Sequence, residues 1–184
     1  MKKILAFGAS NSKSSINKTF ATYAARQLEN VEVMIADLND YTAPLYSIDL
    51  QKEQGIDENV MRFYQLIQTC DAIVLSLAEH NGLHTSVFKN LWDWLSRIPM
   101  EQPMQIWGGK PMFLLSTSTS RRAMSNVLKV SKEMFPHFGA NIIADFQLPS
   151  FYQFFKDGQI IEAEYQALFD QQKSRFQEYL DNMV

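Results

Sequence analysis

Gly8-Ala9-Ser10-Asn11-Ser12-Lys13-Ser14-Ser15-Ile16-Asn17 gathers hydroxyls and amides directly after a short apolar run. A loop of this kind opening into a helix suits a monophosphate, because a helix amino end carries unpaired N–H groups and a partial positive charge. Ser10, Ser12, Ser15 and the Asn17 amide would add donors around it. The same residue types also serve an ordinary serine-rich turn with an N-cap. Neither G-x-G-x-x-G nor G-x-x-x-x-G-K-[ST] is present, which disfavours a dinucleotide or a nucleoside triphosphate at this loop.

A second stretch, Ala78-Glu79-His80-Asn81-Gly82-Leu83-His84, holds an Asn-Gly pair. Such a pair accepts positive φ and makes a tight turn, so that backbone N–H groups can approach the edge of a flat ring. His80 and His84 stand four residues apart, yet the Asn81-Gly82 turn breaks the helix that would align them, and no third ligand is evident. No metal is expected. A third stretch, Ser116-Thr117-Ser118-Thr119-Ser120-Arg121-Arg122, offers further hydroxyls and amides, and Arg121 could reach a carbonyl or a phosphate. Residues of these types also cap helices, so this stretch gains meaning only from its position.

That position follows from the elements between the loops. Lys2 to Ala9 contains the apolar run Ile4-Leu5-Ala6-Phe7 and reads as a buried strand. Ile16, Phe20, Tyr23, Ala24 and Leu28 then recur at helical spacing between about Ser15 and Glu29. The alternation repeats: a strand over Val31 to Ala36, a helical stripe of Ile56, Val60, Phe63, Ile67 and Cys70, a strand over Ala72 to Leu77, a helix around His84 to Arg97. It continues with a strand over Pro111 to Leu115, a helix around Arg121 to Phe135 with Met124, Leu128, Ser131 and Phe135 on one face, and a fifth strand over Asn141 to Leu148. Phe154 to Ile160 reads as a turn centred on Asp157-Gly158. A last helix follows, with the stripe Ile161, Tyr165, Leu168, Phe169, Phe176, Tyr179 and Leu180. Tyr41 to Gln54 and Ile98 to Gly109, the latter with Pro99 and Pro103, read as long connections able to cover a site.

Strands alternating with helices require mostly parallel pairing through right-handed crossovers, with helices on both faces of the sheet. The expected fold is therefore an α/β, flavodoxin-like three-layer sandwich with a five-stranded parallel sheet in the order 2-1-3-4-5. In that order ligands sit beyond the carboxyl ends of the strands, which is where all three loops fall.

The 184 residues are 46% hydrophobic, enough for one domain spanning 1–184. A formal charge of −3, from 17 basic and 20 acidic residues without like-charge runs, argues against a nucleic-acid partner. No stretch has the uninterrupted apolar length of a membrane-spanning helix, and no membrane partner is expected. The single cysteine, Cys70, forms no internal disulfide, and the start of the chain turns polar too early for a secretory leader, so a reducing cytoplasm is expected. Met34, Met61, Met100, Met104, Met112, Met124 and Met134 read as core fillers. Trp92 and Trp94, with Leu91 and Leu95, make one helix apolar on more than one side, which predicts a homodimer contact through it.

Four segments in this order resemble the NADPH-dependent FMN reductase family, which includes azo, chromate and quinone reductases. They are Ser10 to Asn17, Glu79-His80-Asn81-Gly82, Phe88-Lys89-Asn90-Leu91-Trp92-Asp93-Trp94-Leu95-Ser96-Arg97, and Lys110-Pro111. The resemblance implies an FMN whose phosphate lies on Ser10, Ser12, Ser15, Ile16 and Asn17. It implies an isoalloxazine against Ala78, Glu79, His80 and Asn81, with Thr117, Ser118 and Thr119 closing the far side. It further implies NADPH or NADH as co-substrate, a small-molecule electron acceptor and a homodimer. Because the flavin carries the chemistry, no catalytic side chain is expected.

The chain departs from the family pattern where Ala78 replaces a proline, His80 a tyrosine, and Ser116 to Arg122 a glycine-bearing loop. No arginine stands near Ser12, which leaves adjacent Lys13 as the phosphate's point charge. Two rival expectations go with the same fold: an FMN-binding electron-transfer module without NAD(P)H turnover, and a cofactor-free interaction protein.

Overall fold

The computed structural model describes residues 1–98, 105–121 and 125–183. Strands β1 (Lys2–Gly8), β2 (Val31–Ala36), β3 (Ala72–Leu77), β6 (Pro111–Thr117) and β7 (Asn141–Leu148) form a parallel sheet in the order β2-β1-β3-β6-β7. Two short antiparallel hairpins lie outside it, β4 (Glu79–His80) with β5 (Leu83–His84), and β8 (Phe155–Lys156) with β9 (Gln159–Ile160). The expected architecture and strand order are the observed ones.

Alternation within the central strands fills two cores, because successive side chains point to opposite faces. Leu5, Phe7, Ile73, Leu75, Met112 and Leu114 face α3 (Glu58–Thr69), α4 (Ser86–Leu95) and α5 (Asn126–Met134). Ile4, Ala6, Val74, Phe113 and Leu115 face α1 (Ile16–Arg26) and α7 (Ala163–Asp181). Strands buried on both faces leave no polar alternation, so they read as continuous apolar runs. Register aligns their carboxyl ends, with Gly8 beside Ser76 and Leu77 beside Ser116. The loops that leave these ends are thereby brought to one edge.

Several expectations are corrected. The helix expected around Arg121 begins at Asn126, after the Ser125 side chain caps Leu128 N–H; Arg122 and Met124 lie outside the described residues. The segment from Tyr41 to Gln54 is not all connection, since α2 (Ile48–Gln54) forms within it behind an Ser47 cap. Pro99, Met100, Pro103 and Met104 lie outside the described residues. In the last helix Phe169, Phe176 and Leu180 are buried, whereas Leu168, Tyr179 and the preceding Ile161 face outward. Met112 is buried and Met34 and Met61 pack against the core, but Met134 is exposed.

Trp92 and Trp94 do not form an outward face. They are 6% and 1% exposed. Trp94 Nε1 donates to the Pro44 carbonyl at 2.8 Å and its ring meets Tyr46 edge-on. Trp92 packs edge-on against Phe135 and Phe138. The chain itself covers both sides of α4, one with the Ala43–Tyr46 segment and the other with the end of α5. A short helix, α6 (Phe151–Phe154), follows β7 closely. Among the described residues, no helix is long and apolar enough to cross a membrane.

Candidate functional site

Gly8 lets α1 start directly on the end of β1. A Cβ there would stand 2.3 Å from the Lys18 backbone nitrogen and 2.7 Å from the Asn17 carbonyl carbon, so only glycine permits the approach. The loop between them is folded by its own serines. Ser10 Oγ accepts from Ser12 N–H at 3.1 Å, and Ser15 Oγ caps α1 by accepting from Lys18 N–H at 3.1 Å. The N–H groups of Ile16 and Asn17, in the first turn, donate to no protein acceptor among the described residues.

Asn17 has a different part from the one expected. Its side chain is buried and tied to two strand ends: Oδ1 accepts from Ser76 Oγ at 2.7 Å and from Thr117 N–H at 3.1 Å, while Nδ2 donates to the Thr117 carbonyl at 3.1 Å. The amide therefore braces the loops, and Asn17 offers a guest its backbone N–H. Thr117 Oγ1 is likewise engaged, donating to the Leu148 carbonyl at 2.7 Å. Thr85, the cap of α4, adds a third brace by donating to the Ala9 carbonyl at 2.8 Å.

The Asn-Gly turn is as expected, with φ of 54° at Asn81 and 84° at Gly82 between β4 and β5. Glu79 Oε2 accepts from Ser125 Oγ and from Val127 N–H, both at 3.0 Å. Its carboxylate thus holds the turn against the amino end of α5, where negative charge is favoured. The two histidines part company. His80 is exposed at the turn. His84 points into the fold, its Nε2 2.7 Å from Ser131 Oγ and its ring stacked on Phe135. Burial, with a smaller push from the Lys89 charge, holds its pKa down at about 4.

These loops enclose a cavity of about 290 Å³ lined by Ser10, Ser12, Ser15, Ile16, Asn17, Ala78, Glu79, His80, Thr117, Ser118 and Thr119. Of the expected site residues only Asn81 is missing from that lining. It borders an adjoining polar cavity of about 580 Å³ that shares Glu79, Ser118 and Thr119 and continues to Ser125 and Gln147. Together they form a cleft along the carboxyl edge of β1, β3 and β6. Lys13, the expected point charge, lines a neighbouring groove instead.

Two lining residues escaped the sequence reading. Ser14 sits within the loop already singled out, and Tyr152 arrives from α6. Its signal was positional: it follows the end of the fifth strand, and strand ends are where ligands lie in this topology. Backbone bonds from Ser150 N–H to the Ser120 carbonyl and from Phe151 N–H to the Ser118 carbonyl, each 2.9 Å, bring α6 to the cleft.

A sequence model described as NADPH-dependent FMN reductase matches residues 2–153. A quinone reductase of Escherichia coli K12 is 33% identical over 104 residues, covering 56% of this chain and 50% of that protein. An NAD(P)H-dependent FMN reductase of Pseudomonas aeruginosa is 35% identical over 91 residues, covering 50% and 45%. The chain spans about half the length of the curated relatives it matches. Among solved structures, the flavoenzyme NAD(P)H:(acceptor) oxidoreductase FerB of Paracoccus denitrificans superposes with a TM-score of 0.72 at 21% identity, over 97% of this chain and 98% of that one. An azoreductase of Bacillus anthracis gives 0.64 at 18% identity, over 97% and 100%. These structural likenesses establish the fold.

Proposed function

Since the chain belongs to the NADPH-dependent FMN reductase family, we propose that it is an NAD(P)H oxidoreductase whose cleft holds one FMN and serves a small acceptor: a quinone, an azo compound, a free flavin or chromate. The observation that carries this reading is the meeting of three loops, distant in sequence, around one cavity at the strand ends. FMN fits the residues present. Serine hydroxyls and the free amides of Ile16 and Asn17 supply donors at an end where the Ser10–Asn17 loop holds no carboxylate. The positive-φ turn at Asn81-Gly82 brings backbone donors to the other end.

When bound, FMN supplies the hydride acceptance and electron donation of the reaction. The chain's own residues position and polarise. Ser10, Ser12, Ser14 and Ser15 orient the phosphate, and the amides of α1 add directed donors. Ala78 to Asn81 present backbone to the ring, and Ser118 and Thr119 wall the opposite side. Exposed His80 stands at the mouth beside the ring position. The braces through Asn17, Thr85 and Glu79 keep these donors fixed while charge develops, which is the protein's contribution to rate.

The whole chain acts here as one cytoplasmic domain, and a homodimer remains part of the proposal. With Trp92 and Trp94 spent inside the chain, its apolar contact falls to Leu45 and Ile48, 82% and 57% exposed on the segment that covers α4. A monomeric mass in solution at micromolar concentration overturns that part. The activity is tested by steady-state oxidation of NADPH with a quinone, varying both substrates in the presence of FMN. Parallel double-reciprocal lines are expected, because one cleft serves donor and acceptor in turn. Bound FMN without turnover would instead favour an electron-transfer module.

A further inference from the structure

Among the described residues, the cavity assigned to the phosphate has no lysine or arginine in its lining. Its walls at that end come from Ser10, Ser12, Ser14, Ser15, Ile16 and Asn17, while Lys13 lines the groove outside. A phosphate held without a bidentate arginine depends on the number and direction of its hydrogen-bond donors. The serine hydroxyls are suited to this. Ser10 Oγ accepts from Ser12 N–H and Ser15 Oγ accepts from Lys18 N–H, so each keeps its own hydrogen for a guest.

One more hydroxyl reaches the cavity, from far along the chain. Tyr152 lines both the cavity and the groove beside α1, and the other residues common to the two are Ser14, Ser15 and Ile16, all of the serine loop. Ala78, Glu79 and His80, at the ring end, do not border that groove. The shared border therefore puts Tyr152 at the phosphate end.

The chain around Tyr152 is braced. Ser150 turns with φ of 47°, a left-handed conformation that a residue other than glycine keeps only where its surroundings hold it. Its N–H donates to the Ser120 carbonyl at 2.9 Å, and its carbonyl accepts from the N–H groups of Gln153 and Phe154 at 2.8 and 3.1 Å. Buried Phe151 stacks on Phe155 with ring centroids 4.8 Å apart and meets the Tyr152 ring edge-on at 5.6 Å. The tyrosine so placed is 67% exposed, and its hydroxyl has no partner among the described residues. The fold leaves that donor unused.

We propose that Tyr152 binds the cofactor, its hydroxyl donating to the FMN phosphate across from the serine loop. This role rests on the flavin reading of the cleft. It adds the residue by which the cleft tells a phosphorylated flavin from riboflavin.

Tyr152→Phe removes the hydroxyl and keeps the ring against Phe151, at a position exposed enough to spare the fold. Dissociation constants of FMN and of riboflavin, which lacks the phosphate, are measured on the flavin-free forms of the unaltered protein and the variant. FMN affinity is expected to fall about tenfold, the loss of one hydrogen bond to a charged group, with riboflavin affinity changed less than twofold. The phosphorus NMR signal of bound FMN should shift between the two proteins. FMN affinity within twofold of the unaltered protein overturns the proposal. An equal loss for both flavins also overturns it, because the hydroxyl then serves the ribityl chain or the ring. In either case the unaltered protein still binds FMN and the flavin reading stands. An unaltered protein that binds neither flavin overturns both.

Discussion

Asn17 and Thr117, a hundred residues apart, are joined through both ends of one amide: Asn17 Oδ1 accepts from Thr117 N–H and Nδ2 donates to the Thr117 carbonyl, each at 3.1 Å. The pairing imitates one rung of a strand ladder, and it ties the start of α1 to the carboxyl end of β6. Replacing Asn17 with Ala strips partners from the Thr117 backbone and from Ser76 Oγ, all buried. The expected loss is about 1–3 kcal/mol for each group left unsatisfied. A urea midpoint lowered with unchanged slope, together with weaker FMN binding, is the expected result; an unchanged midpoint contradicts the brace.

Gly8→Ala tests how closely α1 is seated on β1. The added methyl would meet backbone, at 2.3 Å from Lys18 N, and backbone cannot turn aside as a side chain does. Overpacking of this kind costs about 1–3 kcal/mol or more. The thermal midpoint should fall and the phosphate end of the cleft should loosen, read as faster FMN dissociation. A variant with native midpoint and native FMN off-rate would show that the contact is tolerated.

How far the chain could be read without its structure depends on where the residues lie. Val31–Ala36, Ala72–Leu77 and Asn141–Leu148 agree to the residue with their expected spans: Ala72–Leu77 is buried at every position and reads as one apolar run, whereas the edge strands Val31–Ala36 and Asn141–Leu148 mix buried and exposed positions. Asp157 and Gly158, with φ of 50° and 79°, form the expected turn for the same local reason as Asn81 and Gly82. Helix α2 escaped notice because it buries no residue and so carries no apolar stripe. Trp92 and Trp94 misled because side-chain size says nothing about which neighbour covers it. The cover comes from Pro44 and Tyr46, in a segment that reads as loop. At the site, the loops were legible and the use of each polar group was not. Asn17 and Glu79 look like donors and acceptors for a guest, yet long-range bonds to Thr117 and to the start of α5 claim their side chains.

His84 makes stability depend on pH. Its folded pKa of about 4 lies below the ordinary value of 6.5. Between those values the unfolded chain binds a proton that the folded chain refuses, so stability is lost as pH falls from about 6.5 to about 4 and is recovered as pH rises. Denaturant midpoints across that window should slope upward with pH, and His84→Gln should flatten the slope relative to the unaltered protein. An identical slope in both proteins would place the titrating group elsewhere.

Cys70 is predicted to be inert in the native state. Burial raises its thiol to about 11, and its Sγ donates to the Ile67 carbonyl at 3.2 Å. A chromogenic disulfide reagent at neutral pH should leave the folded protein unmodified and consume one thiol per chain in urea. Rapid reaction without denaturant would mean that the core beside β1 and β3 opens.

The proposed chemistry belongs to the strand-end cleft. Flavin-free protein titrated with FMN, followed by absorbance and then by anaerobic addition of NADPH, tests it most directly. One FMN bound per chain, with the flavin bands bleaching on NADPH and returning when a quinone is added, is the predicted result. Protein that stays colourless after FMN addition would contradict it, and would leave the strand-end cleft without its proposed cofactor.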